Sequence, residues 1–560
     1  MLKSVLLTLP NYVMHLFLLP KTLCMDIQRM MCRFWWGHGT PPGRGIHWMS
    51  WERMCQPKFF GGLGFKHLHD FNLSMVGKQA WQLFKDPTSV VARVLKAKYF
   101  PSTSFLASNL GNNPSFIWRS FWESKSLLKE GACLRVRSGS SISIWEDCWL
   151  PSTASMKITT ARPVDTNLLL VSDLIANHRW KSDVILQVFD PLDVAAILSM
   201  PLSRSGGDDD WFWRFDNKCL FTVHSAYRRL RFIQPPPHLQ AQVSMWRKLW
   251  SLRVSPKCLN FVWRALNAAI PCVTLLQRRN LQVAGLCPFC QYCEEDELHV
   301  LVYCDFARAC WLSTAVGFPF GQCVRFRNWF ASMLNVLHGA DLQTLVVTLW
   351  AIWEARNALL WTAKRMIPLQ VARRALNFLH SWLQANESPT PSVVSSTPAR
   401  WSKPAHDHLK LNVDGALFDN LFVGLGIVVR DSLGSFISAM QVAIPGHFAA
   451  NTVEVMAIRE ALSWIKDVGW SPTILESDAQ SCVRAILDPN YMDESAFGLL
   501  VFDCKSLLTE VRDVSLVFIR RSANGIAHRL ARAVIILTDK VVWSHRPPMC
   551  IYDSIRLESL

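Results

Sequence analysis

The chain has 560 residues, half of them hydrophobic and 11% aromatic, enough to fill several cores and too apolar for a globally disordered chain. Lys and Arg number 59 against 43 Asp and Glu, a formal charge of +16 that favours a polyanionic partner, nucleic acid first. Seventeen scattered cysteines exclude the dense disulfide framework of a small secreted domain, and no uninterrupted apolar run reaches the roughly 20 residues of a membrane span. In chain order, residues 1–10 start like a secretory leader. Pro10, Asn11, His15 and Pro20 interrupt the run and no small-residue cleavage site follows, so an intracellular product, nuclear or cytoplasmic, is expected, with no membrane.

Residues 1–100 read as helical and basic, with cations interleaved among rings in Cys32-Arg-Phe-Trp-Trp-Gly37 and Ile46-His-Trp-Met-Ser-Trp51. Gly61-Gly-Leu-Gly64 reads as a turn between helices, because it lacks the Lys-Ser/Thr ending of a phosphate-binding loop. Residues 101–240 form a mixed α/β connecting region. There the alternation of Arg135-Val-Arg-Ser-Gly-Ser-Ser-Ile-Ser-Ile-Trp145 predicts a β-hairpin, and 213–227 predicts another hairpin running into a helix. The apolar stretch from Leu342 to Trp361 carries Glu354, Arg356 and Asn357 at its centre and reads as a buried or partner-facing helix. A Ser/Thr/Pro-rich linker covers 386–404, and there is no internal repeat.

Cys287, Cys290, His299 and Cys304 are spaced Cys-x2-Cys-x8-His-x4-Cys. Three thiolates and an imidazole suit tetrahedral Zn²⁺, and four protein ligands make such a site closed and structural. Reduced core cysteines are the simpler alternative. Cys293 forms a second Cys-x2-Cys with Cys290 and leaves the ligand set open.

From Leu409 the pattern reads β-β-β-α-β-α-β-α, a mixed sheet flanked by helices. Asp414 sits in the strand Leu409-Lys-Leu-Asn-Val-Asp-Gly-Ala416, Glu454 near the start of an amphipathic helix, Asp478 at the end of the strand Thr473-Ile-Leu-Glu-Ser-Asp478, and His528 in a basic helix. Each carboxylate alone has a simpler role. Asp-Gly at 414–415 makes a hairpin turn, Glu454 suits a first helical turn, and Asp478 suits a helix N-cap. Carboxylates delivered from separate elements are also what a pair of divalent cations needs.

The order of these four residues, with Asn524 and Ala527 in the last helix, resembles the ribonuclease H fold. The rest of the chain resembles plant LINE-type (non-LTR) retrotransposon proteins. Leu9-Pro-Asn-Tyr12, Phe34-Trp-Trp-Gly37, Cys55-Gln-Pro-Lys58, Gly61-Gly-Leu-Gly-Phe65 and Asn72-Leu-Ser resemble the end of their reverse transcriptase. Trp246-Arg-Lys-Leu-Trp250, Phe261-Val-Trp-Arg264 and the Cys/His group resemble their zinc-binding domain.

The resemblance implies a truncated reverse-transcriptase tail over 1–100, a zinc-binding domain over 244–312, a helical region over 313–385 and a ribonuclease H-like domain over 405–540 with a mixed five-stranded sheet. The fold class is thus multidomain, mostly helical before the linker and α/β after it. No Tyr/Phe-x-Asp-Asp palm motif is present, and Gly206-Gly-Asp-Asp-Asp-Trp211 has no apolar strand leading into it, so no polymerase activity is expected.

For the nuclease, the resemblance implies hydrolysis with two Mg²⁺ ions, Asp414 bridging them and Glu454 and Asp478 completing the ligands. One ion activates water and the other stabilises the leaving 3′-oxygen. The substrate implied is an RNA–DNA hybrid, sensed through 2′-hydroxyls, with Glu454 near the RNA strand and Arg520, Arg521, Arg529 and Arg532 on phosphates. His528 stands where family members commonly carry Asp. It implies either a weaker second metal or a proton shuttle to the leaving group. The alternative reading is a non-catalytic nucleic-acid-binding remnant of a retroelement, or a decayed element without a cellular role.

Overall fold

The computed structural model describes residues 11–37, 46–153, 155–204, 206–231, 240–283, 285–317, 323–386, 400–418, 422–534 and 540–559. The leader-like residues 1–10 and most of the 386–404 linker lie outside them. The chain divides into two compact units, one of 1–73 with 231–393 and one of 74–230 with 394–560.

The first unit is helical. Its core is built on indoles, with Trp246, Trp263, Trp311 and Trp329 all at most 2% exposed. Gly61 follows the short helix Lys58–Phe60 as a left-handed turn, with φ of 85°. A β-carbon there would touch the Trp246 ring at 3.0 Å, and the Gly61 carbonyl accepts from Trp263 Nε1 at 2.8 Å. The glycine segment is therefore a packing turn. Asn72 is wholly buried. Its amide donates to the carbonyls of Met14 and Phe17, and its Oδ1 accepts from Leu19 N–H, which pins the turn between helices Asn11–Leu16 and Lys21–Trp36.

The expected helix at 342–361 runs as Gly339–Thr362 and is buried nearly all round up to Arg356, as its unbroken apolar composition requires. It packs against helices Pro256–Leu266, Asp305–Leu312 and Pro368–Ala385. The Arg356 guanidinium makes a two-pronged ion pair with Glu295, 2.7 Å on each arm, and Glu295 also accepts from Val273 N–H at 3.0 Å. Both side chains are at most 5% exposed. Arg356→Ala strands the Glu295 charge in the interior. We expect a loss of about 3–5 kcal/mol, read as the shift in the unfolding transition that reports this unit's indoles.

In the second unit, the hairpin expected at 135–145 does not form. Ala132–Arg135 pairs instead with Asp210–Trp213, antiparallel and far apart in sequence. The reason is Asp209, whose carboxylate accepts the N–H groups of Arg137, Gly139 and Ser141 at 2.8–3.1 Å. Donors taken by a side chain are unavailable to a ladder. The acidic run at 208–210 is thus a turn clamp. In the 213–227 stretch the helix Val223–Arg231 is present but no second strand precedes it. Trp213 N–H meets only Cys219 C=O, and Cys219 is left-handed at φ 55°.

The remainder of this unit is a six-stranded sheet. The strands are β1 (Leu409–Phe418), β2 (Phe422–Arg430), β3 (Phe436–Pro445), β4 (Thr473–Ser477), β5 (Val514–Phe518) and β6 (Lys540–Ser544), and the order is β6-β3-β2-β1-β4-β5. Each neighbouring pair along β6-β3-β2-β1 is antiparallel, while β1, β4 and β5 run parallel. The five expected strands are all there; β6 is an addition on the β3 edge. Helices α1 (Ala450–Val468), α2 (Gln480–Leu487) and α3 (Ala496–Glu510) cover one face through Leu411, Val413 and Leu475. Helices α4 (Gly525–Arg532) and α5 (Met549–Ser559) cover part of the other through Val428 and Ala439. Period-2 alternation along β1 therefore sends Leu411 and Val413 to one side and Lys410, Asn412 and Asp414 to the opposite one.

The connecting segment is locked to α1 and α3 by a buried polar network. Ser203 Oγ donates to Asp503 at 2.7 Å, Arg204 pairs with Glu460 at 2.8 Å, and Arg459 donates to the Leu202 carbonyl at 2.9 Å.

Candidate functional site

The three carboxylates come together. One oxygen each from Asp414, Glu454 and Asp478 lies within 4.8 Å of the others. Two glycine positions make this possible. A β-carbon at Gly415 would meet Val453 Cγ1 at 2.8 Å, so the glycine lets α1 approach β1 beside Asp414. A β-carbon at Gly426 would meet Ala531 N at 2.5 Å and Ala527 O at 2.7 Å, so that glycine lets α4 lie directly on β2.

None of the simpler roles holds locally. Asp414 and Gly415 are mid-strand, paired with Gly426 and Leu425 rather than turning a hairpin. Glu454 is the fifth residue of α1, past its first turn. Asp478 does not cap α2; its Oδ1 accepts from Asn524 Nδ2 at 2.9 Å. Asn524 is 1% exposed and donates also to the Val413 carbonyl at 2.8 Å, so it fixes Asp478 against β1.

His528 reaches Asp414 but not the three-carboxylate set. Its Nδ1–H donates to Asp414 Oδ2 at 2.7 Å, and its side chain is 28% exposed against 4% for Asp414. The electrostatics are those of an acid cluster lacking a counter-charge. Burial, then the charges of Asp414 and Asp478, push the Glu454 carboxyl up to about 8, against the Gly415 N–H and Arg521. Glu454 Oε2 is buried without a hydrogen-bond partner. Asp414 is raised to about 6, by burial first, with the His528 bond pulling the other way and Asp478 adding to the rise. Like charges held this close and dry call for a cation between them.

Sequence reasoning missed a buried ladder directly behind this cluster. Lys410 pairs with Glu476 at 2.8 Å, Asn412 Nδ2 donates to Glu476 at 2.9 Å, and Arg430 donates to Asn412 Oδ1 at 2.9 Å and to Glu558 at 2.7 Å. Trp401 closes it, its ring centroid 3.4 Å from Arg430 Cζ. The signal was present: Lys410 and Asn412 alternate with apolar residues in β1, and Asn412 and Glu476 each stand two residues before an aspartate of the cluster.

The cysteine cluster also assembles. Cys287, Cys290, His299 and Cys304 offer one ligand atom each within 4.8 Å. Cys287 Sγ and Cys304 Sγ are 3.8 Å apart, and Cys290 Sγ and His299 Nε2 are 3.4 Å apart. A tetrahedral Zn²⁺ with ~2.3 Å bonds to sulfur and ~2.0 Å bonds to nitrogen has edges of about 3.8 Å and 3.5 Å. Cys293 lies outside the set and contributes its carbonyl, which accepts Cys287 N–H at 2.8 Å. Cys304 caps helix Asp305–Leu312; its thiol is lowered by the bond to Cys287, against burial and with help from the Phe306 and Ala307 N–H groups. Cys287 is pushed up correspondingly, and His299 rises to about 9 beside the two thiols. The four donors share protons among themselves, and His299 and the thiols must give those protons up to take a soft cation.

A twisted mixed sheet with this strand order and an acidic trio at its centre defines a ribonuclease H-like domain, here on a chain that also carries a zinc-type Cys/His cluster. The reverse transcriptase-like family model matches residues 412–534, and the model for zinc-binding in reverse transcriptase matches 221–311. An Arabidopsis thaliana protein named as a putative ribonuclease H protein is 25% identical over 96% of this chain and 88% of its own length. An uncharacterized mitochondrial protein of the same plant is 34% identical over 26% of this chain and 94% of its own. Ribonuclease H1 of the archaeon Halobacterium salinarum is 24% identical, with 22% of this chain and 95% of that one covered, at a TM-score of 0.21. The chain belongs to the plant retroelement-derived proteins with a ribonuclease H-like domain.

Proposed function

We propose that the C-terminal domain cleaves the RNA strand of RNA–DNA hybrids, with Asp414, Glu454 and Asp478 holding Mg²⁺, and that Cys287, Cys290, His299 and Cys304 hold a structural Zn²⁺. The observation that carries the nuclease reading is the meeting of three carboxylates from three elements within 4.8 Å, one with an unpartnered buried oxygen. Bound Mg²⁺ supplies an activated water and stabilises the leaving oxygen. Asp414 belongs to the cluster and also meets His528 through Oδ2. Asn524 holds Asp478 in place. Arg520, Arg521, Arg529 and Arg532 are all exposed and suit phosphates, which positions a duplex without reading its sequence. His528 positions Asp414, and its partly exposed ring would pass a proton toward the leaving oxygen.

The test is incubation of the full chain with an end-labelled hybrid and Mg²⁺, with duplex DNA and duplex RNA alongside. Cleavage confined to the hybrid, leaving RNA 3′-hydroxyls, supports the reading. Tight hybrid binding with no cleavage favours the alternative of a non-catalytic binding remnant, for which the imidazole at 528 in place of a fourth carboxylate is the specific argument.

The raised carboxyls give a pH dependence for the Mg²⁺-free protein. With Glu454 near 8 and Asp414 near 6 when folded, against about 4.3 and 3.9 unfolded, the folded state binds more protons across that interval. Stability therefore falls as pH rises from about 4 to 8. Thermal melts without Mg²⁺ should show this unit's melting temperature declining over that window, Mg²⁺ restoring it most at pH 8, and Glu454→Gln flattening the profile. A flat profile in the unsubstituted chain would contradict the shared pocket.

A further inference from the structure

We propose that the first unit carries a separate site for an unpaired nucleic-acid strand, in the groove between helices Pro256–Leu266 and Gly339–Thr362. On the first helix Lys257, Asn260, Phe261 and Arg264 follow the i, i+3, i+4, i+7 spacing of a single face. On the second, Trp350, Trp353, Glu354 and Asn357 repeat that spacing. The two helices pack together, and these two faces line one cavity of about 530 Å³. Trp35 and Trp36, at the end of helix Lys21–Trp36, add a third wall.

A purely structural helix pair would close such a seam with apolar side chains. This one stays open and amphipathic. Lys257 Nζ stands 4.1 Å from the ring centroids of both Trp350 and Phe378, is exposed, and has no carboxylate within ion-pair distance among the described residues. Arg264 Cζ lies 5.5 Å from the Trp36 ring, with its Nε on the Ala269 carbonyl. The Glu354 carboxylate, the Asn260 amide and the indole N–H groups of Trp350 and Trp353 have no hydrogen-bond partner among the described residues, although all four residues line the cavity.

Recessed indole rims, cations at the mouth and unsatisfied amide and carboxylate groups are the complement of a single-stranded nucleotide. Its base face stacks on the rings, its polar edge meets Asn260, Glu354 and Asn357, and its phosphate meets Lys257 and Arg264. The recess admits a base only once it is out of a stack, so the occupant is an unpaired strand and not a duplex. The chain's charge of +16 acts in the same direction. This site does not depend on the nuclease reading.

The test uses the full chain and fluorescein-labelled oligo-U and oligo-dT, with a blunt hairpin duplex as comparison. Both single strands are expected to quench tryptophan fluorescence and to bind with salt-dependent anisotropy. Lys257→Glu, which reverses the charge over the Trp350 and Phe378 rings, is expected to weaken them roughly tenfold while Lys257→Arg, which keeps it, does not, and while hairpin binding and hybrid cleavage stay unchanged in both. A Glu354→Gln variant, which removes the one acidic group of the groove, should change the preference among homopolymers. Photo-cross-linking of 4-thiouridine oligonucleotides should map to 21–36 and 339–362. Unchanged affinity in Lys257→Glu, equal loss on hairpin and single strand, cross-links confined to 400–559, or quenching by a proline-rich peptide but not by oligonucleotides would each overturn the proposal.

Discussion

Asp414→Asn is expected to lower hybrid cleavage by about three orders of magnitude or more while leaving hybrid binding and the fold in place. The substitution keeps the shape. The His528 Nδ1–H, now 2.7 Å from a carboxylate oxygen, finds an amide oxygen in the same place, and the 3% exposed site gains no cavity. What disappears is the central negative charge of the trio, and with it several kcal/mol of cation binding at the reacting phosphate. Because Asp414 is also one of the charges that raise Glu454, the variant should melt higher than the parent in Mg²⁺-free buffer at pH 8. Loss of activity with a gain in stability separates a ligand from a structural aspartate, whose removal would lower both. His528→Ala provides the contrast. It removes a group that touches a ligand, so a loss of about 10–100-fold is expected, with hybrid affinity kept. Single-turnover cleavage and melting curves on the three proteins decide the matter. If Asp414→Asn cleaves at the parental rate, the trio is not the catalytic centre.

The trio was legible because its signals were local and redundant. Alternation in β1 gave the side of Asp414, the short strand pattern around Ile474 and Leu475 placed Asp478 at a strand end, and helical spacing put Glu454 on α1. Each supplies a face or an end, and the topology does the rest. What escaped the sequence depends on partners remote along the chain. The 135–145 segment has the alternation of a hairpin, yet Asp209, about 70 residues on, takes its donors, and Ala132–Arg135 finds a strand at Asp210–Trp213. β6 is five residues at a sheet edge, too short for a periodic signal, and only its pairing with β3 makes it a strand. The Lys410–Glu476 ladder shows in the sequence only as polar residues within strands, and alternation alone assigns such positions to solvent. In a sheet covered on both faces that inference fails, and buried charge has to be paired instead.

Removal of zinc, or Cys287→Ser, is expected to unfold the 287–312 segment, whereas Cys293→Ser is silent. The free energy supports a large effect. A structural zinc contributes on the order of 10–16 kcal/mol at neutral pH, as much as the whole net stability of an ordinary domain, about 5–15 kcal/mol. Few local features replace it. His299 opens a single π-helical turn, Phe289 and Phe306 stack at 4.0 Å, and the Cys287-Pro-Phe-Cys290 knuckle turns through a left-handed Gln291 at φ 61°. The damage should spread along a defined route. Glu295 lies between Cys290 and His299 in sequence and anchors Arg356 of the long buried helix, so losing the metal loosens that ion pair as well. The expected result is one zinc per chain by elemental analysis, absent in Cys287→Ser and present in Cys293→Ser, with rapid tryptic cleavage at Arg278 and Arg279 only where zinc is gone. Acid should act like a chelator, because His299 and the thiols must release protons to bind, so zinc is lost as pH falls and regained as it rises. Equal zinc content and equal protease resistance in Cys287→Ser and Cys293→Ser would make the cluster a set of core thiols. The near-tetrahedral spacing of its four donors would then be a consequence of packing alone.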